Sequence, residues 1–548
     1  MKSNKKKFSK SKIKKLTKKL SKKEDEFEEK KEKHQKELYD LLFHSGSTPI
    51  TRELVKLPNP FDVVVDFIKE KGLKLYGGQA LHEHLKKYKQ GFYKPYQFPD
   101  YDVFSPNAWE HAKELADRFH QLGFSYAEAK SSILNDEQHQ TYKVGIEMMY
   151  ILDLTQTGCT PQQLKNKDCK ECGLTKNKEC ISLFNHIPTY NLINYNPKNK
   201  ETKVFYETYD FKNDKSLYPK KMFLCAPDWL KISMYRELTE PITNPSRLTK
   251  VAKRLEIFKS YFEYEHRKCN VKNFSNDVNR ELKDVFKYLE KYIKDNNMIN
   301  YGASAFNMFV KSSSHKPTIN VSDYEVYVGG SEQYELTEIL MQELVDDLNK
   351  KFKDLKFKFQ EKIYYWKDTD SKNFELTVSS KSFKNNKIMT LTENITCIPY
   401  LQYNGVKYVT IDRLKNIYFR AVSLKDFYDK VETNPKNYEC MLSHLIKAEE
   451  EFMKKKNKNI DKSKFKRFQG RCSGDEYSKI YLNLISMWGN RIDTLKKTKY
   501  IIDSPKKNFL TKIYPMPNKE LKLPYRPEEK EIKSYSKYQK KLNKKYKK

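Results

Sequence analysis

The chain has 548 residues, 38% of them hydrophobic and 32% charged, and a formal net charge of +34. That length gives room for about three or four domains and a substantial core. No apolar run reaches the roughly 18 residues that a bilayer span needs, and no apolar segment follows the lysine-rich start, so neither membrane insertion nor secretion is expected. The charge excess points to a polyanionic partner, with a lysine-rich composition serving solubility as the plainer alternative.

Residues 1–23 contain 12 lysines and no acid, and they lead into KEDEFEEKKEKHQKELYDLLFH (23–44), a predicted helix; residues 1–50 form an arm and N-terminal helix. Such an arm can hold a phosphate backbone without reading its sequence, or is simply solvated. In GLKLYGGQALHEHLKKY (72–88), Leu73 to Tyr76 predict a short strand, Gly77 and Gly78 a turn, and Ala80, Leu81 and Leu85 one side of a helix. Paired glycines let the backbone approach another group closely, and they leave N–H groups at the helix start for phosphate oxygens; the alternative is a tight turn and nothing more.

YQFPDYDVFS (96–105) then places Asp100 and Asp102 two apart in a strand. Side chains so spaced point to one side about 6.6 Å apart, and two anions that close need a cation or solvent. NAWEHAKELADRFHQLGF (107–124) has helical spacing at Ala108, Ala112, Leu115 and Phe119, with Asn107 as N-cap. TYKVGIEMMYILDLT has strand character and sets Asp153 between Leu152 and Leu154. Beside the first acid strand, Asp153 would complete three converging carboxylates. That is enough for two divalent ions, which could activate an incoming hydroxyl and neutralise a leaving pyrophosphate.

Cys159, Cys169, Cys172 and Cys180 follow in what reads as an insertion. Four thiolates could close a structural Zn2+ site, although the spacing matches no compact finger; reduced unpaired thiols and a disulfide are the alternatives. In DWLKISMYR (228–236), Lys231 can reach a nucleotide triphosphate or make a structural contact. Residues 51–230 form the first domain and 231–296 a helical linking region.

The pattern then repeats. YGASAF (301–306) answers YGGQAL, SDYEVYV (322–328) answers PDYDVFS, and DRLKNIYFR (412–420) answers DWLKISMYR. Gly302 precedes Asp323 by 21 residues, where Gly77 precedes Asp100 by 23. ILDLT (151–155) becomes IMTLT (388–392), so Thr390 stands where Asp153 stood, and Ala303 where Gly78 stood. A degenerate second copy, 297–420, is therefore expected, retained for packing or RNA contact. It also keeps the lysine spacing at Lys415, which favours a structural contact for Lys231. Residues 421–510 read as helical and 511–548 as a basic tail, with eight lysines and no acid in 533–548.

The series GG, DYD and ILDLT resembles the nucleotidyltransferase fold shared with DNA polymerase β. The surrounding sequence resembles the catalytic subunits of poly(A) polymerases from poxviruses and other large cytoplasmic DNA viruses. The resemblance implies that Gly77 and Gly78 hold nucleotide phosphates and that Asp100, Asp102 and Asp153 bind two Mg2+ or Mn2+; Lys231 is a candidate for ATP on its own chemistry. It departs from the common Gly-Ser turn, because Gly78 supplies no hydroxyl. The expected fold is α+β, two nucleotidyltransferase-like mixed-sheet domains with helical segments between and after them. The expected activity is template-independent addition of AMP from ATP to an mRNA 3′ end, in the host cytoplasm or viral factory or packaged in the virion. Its partners would be the RNA 3′ end, ATP and a second copy in a homodimer, with no membrane. Another RNA-tailing or oligoadenylate-forming nucleotidyltransferase and an inactive RNA-binding scaffold are the rival readings.

Overall fold

The computed structural model describes residues 58–93, 101–124, 127–131, 141–146, 149–166, 173–174, 180–193, 203–205, 221–239, 245–264, 280–313, 319, 321–329, 336–362, 372–394, 398–430, 438–454, 464–465, 472–473 and 511–513. The first part of the chain runs α1 Pro60–Glu70, β1 Lys74–Tyr76, α2 Gly77–Lys86, β2 Tyr101–Ser105, α3 Ala108–Gln121, β3 Ala127–Ser131, β4 Thr141–Ile146 and β5 Met149–Gln156. It continues through α4 Pro161–Asn166, β6 Gly173–Leu174, β7 Cys180–Ile181, α5 Leu183–His186, β8 Thr189–Ile193, β9 Lys203–Phe205, β10 Lys221–Cys225, α6 Pro227–Thr239 and α7 Pro245–Tyr261.

The second part comprises α8 Lys283–Asp295, β11 Ile299–Tyr301, α9 Gly302–Ser312, β12 Tyr324–Gly329, α10 Thr337–Lys351, β13 Lys356–Lys362, β14 Asn373–Ser379, β15 Asn386–Asn394, β16 Ile398–Tyr403 and β17 Val406–Val409. After these come α11 Ile411–Ser423, α12 Lys425–Lys430, α13 Tyr438–Lys454, β18 Cys472–Ser473 and β19 Thr511–Ile513.

Two mixed sheets share one order over seven strands, β3-β4-β5-β2-β1-β10-β8 and β13-β14-β15-β12-β11-β17-β16. The first runs β19-β3-β4-β5-β2-β1-β10-β8-β9 and the second β13-β14-β15-β12-β11-β17-β16-β18. In both, the glycine-turn strand lies antiparallel to the acid strand, which is parallel to the next strand outward (β5 or β15). The repeat read in the sequence is thus a repeat of fold. In each copy the short strand and its glycine start a helix: Gly77 has φ +71° and Gly302 φ +69°, a region that glycine enters without steric cost.

Local chemistry sets the elements that carry the first sheet. Asn59 Oδ1 accepts from Phe61 N–H at 3.0 Å and Pro60 opens α1, so the orphan donors of that helix start are partly met. Asn107 occupies the N-cap of α3 but makes no side-chain capping bond. Gln156 does that work from the end of β5: its Oε1 accepts from Ala108 N–H at 2.9 Å, and its Nε2 donates to the Pro106 and Gly158 carbonyls. The helix start is tied to the strand that carries Asp153.

One apolar core, from Phe61 to Phe465, joins the inner sides of both sheets, and a second lies under the other side of the second sheet with α8 and α10. The copies meet through equivalent helices. Asn416 Nδ2 on α11 donates to the Ile232 carbonyl on α6 at 2.9 Å, and the Tyr235 and Phe419 rings stack 5.6 Å apart. Among the described residues no helix is long and apolar enough to cross a membrane.

Candidate functional site

The alternation in β2 buries Tyr101, Val103 and Ser105 and leaves Asp102 partly exposed. The parallel register with β5 sets Asp102 directly opposite Asp153, and the antiparallel register with β1 sets Tyr76 opposite Asp102. Directly paired residues share a face on strands about 4.8 Å apart, so the two carboxylates converge. Lys143, opposite Asp153 on β4, makes an ion pair with it, and Lys130 stands opposite Lys143 on β3. One row across five strands therefore reads Lys130, Lys143, Asp153, Asp102, Tyr76.

Gly77 closes the row from above. A Cβ built on it would stand 2.0 Å from Asp102 Oδ2, so only glycine lets the turn lie against this carboxylate. Tyr76, the N-cap of α2, makes no side-chain capping bond. Its ring stacks on Phe104 at 4.0 Å and its hydroxyl bonds Thr155 Oγ1 at 2.7 Å. Burial, then the charge of Asp102 and to a lesser degree that of Asp153, raise this phenol well above its ordinary range against the opposing Thr155 bond. The phenol is held neutral beside the acids.

Asp100 lies outside the described residues, and among the described residues no group of three His, Cys, Asp or Glu side chains is placed to hold a metal ion. The donor set that is present suits magnesium or manganese: hard carboxylate oxygens on facing strands, one of them set against a glycine turn. Gly78 follows Gly77 in the first turn of α2; around it gather Tyr93 and, from α7, Arg254.

Lys231 lies on α6. It is 2% exposed, donates to Asp228 Oδ1 at 2.7 Å and lies 5.4 Å from the Phe419 ring centroid. Burial lowers its pKa against the pull of Asp228. Its environment is the seam between α6 and α11, a contact of two helices. Cys159 is buried and disulfide-bonded, so its sulfur is not a zinc thiolate. Cys169, Cys172 and the side chain of Cys180 lie outside the described residues. Cys440 is also disulfide-bonded and Cys225 is free and buried.

The second copy repeats this geometry without the acid pair. Glu325 stands opposite Thr390 as Asp102 stands opposite Asp153, and a Cβ on Gly302 would meet Glu325 Oε2 at 2.0 Å. Tyr301 reproduces Tyr76, bonding Thr392 Oγ1 at 2.7 Å. Both Glu325 oxygens accept from the Tyr438 hydroxyl, at 3.1 and 3.0 Å.

Sequence reasoning missed Lys143, Tyr93 and Arg254. Lys143 had a signal, since it alternates with Tyr142 and Val144 in a strand that precedes the Asp153 strand. Arg254 had none, because only the folded chain brings α7 to the glycine turn.

A family described as "Poly(A) polymerase catalytic subunit" matches residues 62–164. A relative named for that subunit in African swine fever virus is 35% identical over 101 residues, 18% of this chain and 20% of its own length. One in Acanthamoeba polyphaga mimivirus is 22% identical over 473 residues, 78% of this chain and 69% of its own length. The chain thus spans about a fifth of the length of the swine fever virus relatives it matches. The crystal structure of the Megavirus polyadenylate synthase shares the fold, with a TM-score of 0.58 and 16% identity, covering 93% of this chain and 86% of that one. The family match takes in the glycine turn and all three acid positions, the mimivirus relative extends the likeness over most of the chain, and the Megavirus structure shares its fold: the chain is similar to the poly(A) polymerase catalytic subunits of large DNA viruses.

Proposed function

We propose that the protein is a template-independent polyadenylate polymerase that adds AMP from ATP to RNA 3′ ends. The observation that carries this reading is the facing of Asp102 and Asp153 against the Gly77 turn, in one copy of the fold and not in the other. Asp102, Asp153 and Asp100 would hold two Mg2+ or Mn2+ ions. When bound, these supply charge neutralisation for the attacking 3′-hydroxyl and for the departing pyrophosphate. The chain's own part is placement: the carboxylates orient the site, the N–H groups at the start of α2 face phosphate oxygens, and Lys143 and Lys130 extend positive charge along the row. Adenine selectivity rests on the family named above. The lysine-rich ends lie outside the described residues; on their charge rests the further reading that two copies join into a homodimer with a longer track for the RNA backbone.

Purified protein is given a short RNA primer, magnesium or manganese, and each of the four nucleoside triphosphates in turn. Long tails from ATP alone are expected, lost in a folded Asp102→Ala variant. Equal extension by that variant would sink the assignment, and addition of a fixed short sequence would favour another tailing enzyme. Sedimentation over a range of concentrations reads the subunit count.

A further inference from the structure

Gly78 and Tyr93 interlock. A Cβ built on Gly78 would stand 2.1 Å from Tyr93 Oη and 3.3 Å from its Cζ, with Arg254 Nη1 also at 3.3 Å. The tyrosine is fixed there from two sides. Its backbone N–H donates to His82 Nδ1 at 3.0 Å, and the two rings lie 5.2 Å apart. Burial, with the charge of Lys86 adding, pushes His82 down to about 4, so at neutral pH the ring is neutral and Nδ1 can accept. From the other side the Arg254 guanidinium lies 5.2 Å from the Phe92 ring centroid and 6.0 Å from that of Tyr93.

The second copy is an internal comparison. Asn307 sits five residues after Gly302, as His82 sits five after Gly77, and it fastens the equivalent loop. Its Oδ1 accepts from Ile319 N–H at 2.9 Å and its Nδ2 donates to the Ile319 carbonyl at 2.6 Å. At this point Ala303 carries the Cβ that Gly78 lacks, and Ile319 has no hydroxyl. Gly78 with Tyr93 accompanies the facing acids, and Ala303 with Ile319 accompanies their loss.

We infer that Tyr93 supplies from its loop the hydroxyl that the glycine turn lacks, donating it to a phosphate oxygen of the bound nucleotide, with Arg254 as the adjacent positive charge. The inference rests on the nucleotidyl-transfer reading above. A serine at position 78 would bring a hydroxyl on its own Cβ, but 2.1 Å from Tyr93 Oη is too close for both to stand. Gly78 is glycine because the hydroxyl arrives from elsewhere. Tyr93 is then a binding residue, and its loss is felt in nucleotide affinity.

The test uses four full-length proteins: wild type, Gly78→Ser, Tyr93→Phe and the double variant, each checked for its melting transition. Binding of α,β-methylene ATP is measured in magnesium buffer, and KM and kcat for ATP with an oligoadenylate primer. Tyr93→Phe should weaken analogue binding and raise KM about tenfold, the usual worth of a hydrogen bond to a charged group, with kcat within about twofold. Gly78→Ser alone should bind at least as poorly, since its Cβ displaces the tyrosine. The double variant should bind better than Tyr93→Phe, because once the hydroxyl is gone the ring, with Cζ 3.3 Å from the new Cβ, need give only a few tenths of an ångström. Wild-type affinity in Tyr93→Phe, or no recovery in a folded double variant, would overturn the inference. Tyr93-dependent binding in a protein that never extends RNA would sink the polymerase reading alone; extension by Tyr93→Phe with the wild-type KM for ATP would sink only the inference.

Discussion

Lys387 sets its ammonium 2.8 Å from Asp323 Oδ2 in the second copy, beside the carboxylate that corresponds to Asp100. Burial alone would lower this lysine, but the charges of Asp323, Glu325 and Glu375 outweigh it and hold the ammonium above its ordinary range. An internal cation and the Tyr438 hydroxyl thus engage the two acids that remain there, and Thr390 supplies no acid facing Glu325, whereas in the first copy Asp153, itself paired with Lys143, faces Asp102. The second copy should contribute no catalysis. Asp102→Asn is expected to leave less than about a hundredth of wild-type primer extension, and adding Thr390→Asp to that variant should restore none. Extension by Asp102→Asn that disappears on mutating Asp323 would show the second copy to be active.

The two glycine turns allow one steric lesion to be made twice. Alanine at position 77 or 302 must adopt φ near +70° and push aside a carboxylate oxygen 2.0 Å from its Cβ. Each change is expected to cost about 1–3 kcal/mol of stability. Gly77→Ala should also abolish extension, since the carboxylate it displaces belongs to Asp102. Gly302→Ala should retain wild-type kcat well below its melting transition. Thermal melts and initial rates on both variants check the pair; similar activity losses at the two positions would mean that the copies are catalytically coupled.

Much of this was legible in the sequence because it is local or periodic. A glycine pair between strand and helix, acids alternating with buried residues and a second copy in the same order all survive folding, so Thr390 in the place of Asp153 was readable from IMTLT, and the register sets it against Glu325. What was hidden depends on distant segments meeting. Asn107 had the chemistry of a cap, yet Gln156, 48 residues away from the donor, supplies the acceptor. Lys231 had the chemistry of a phosphate ligand, and although the repeat at Lys415 favoured a structural contact, only the folded chain shows that contact to be with the Phe419 ring of α11. Aromatic residues in loops, such as Tyr93, carry no periodicity that marks them.

The seam between the copies is reciprocal. Lys231 lies 5.4 Å from the Phe419 centroid and Lys415, its counterpart, 5.2 Å from that of Tyr235, while Lys415 also pairs with Glu449. Each helix thus offers one cation and one ring to the other. Phe419, 1% exposed, is expected to cost about 3–5 kcal/mol when cut to alanine. Lys231→Met keeps most of the buried stem and should lower the melting temperature slightly while leaving KM for ATP within about twofold. A tenfold rise in KM without a stability change would return Lys231 to the phosphates.

Acid should loosen the helix that carries the glycine turn. His84 on α2 is fully buried, donates from Nε2 to the Cys225 carbonyl at 2.9 Å and is ringed by Tyr190, Phe258 and Phe262. Burial pushes it down to about 4, with the Cys225 backbone bond opposing and the charge of Lys87 adding; the Cys225 thiol, pushed up to about 12 by burial, stays protonated. The folded state therefore keeps His84 neutral at pH values where the unfolded chain protonates it. Its contribution is whole above the ordinary histidine value of 6.5 and is lost as pH falls towards 4, at up to about 1.4 kcal/mol per pH unit. His82, His111 and His186 shift in the same direction. Urea midpoints between pH 7 and 4.5 should fall steeply for the wild type and less steeply for His84→Asn, which retains a donor but does not titrate. Parallel slopes would mean that His84 is protonated in the folded protein, and that the contact of α2 with Cys225 is not what sets the acid limit of the site.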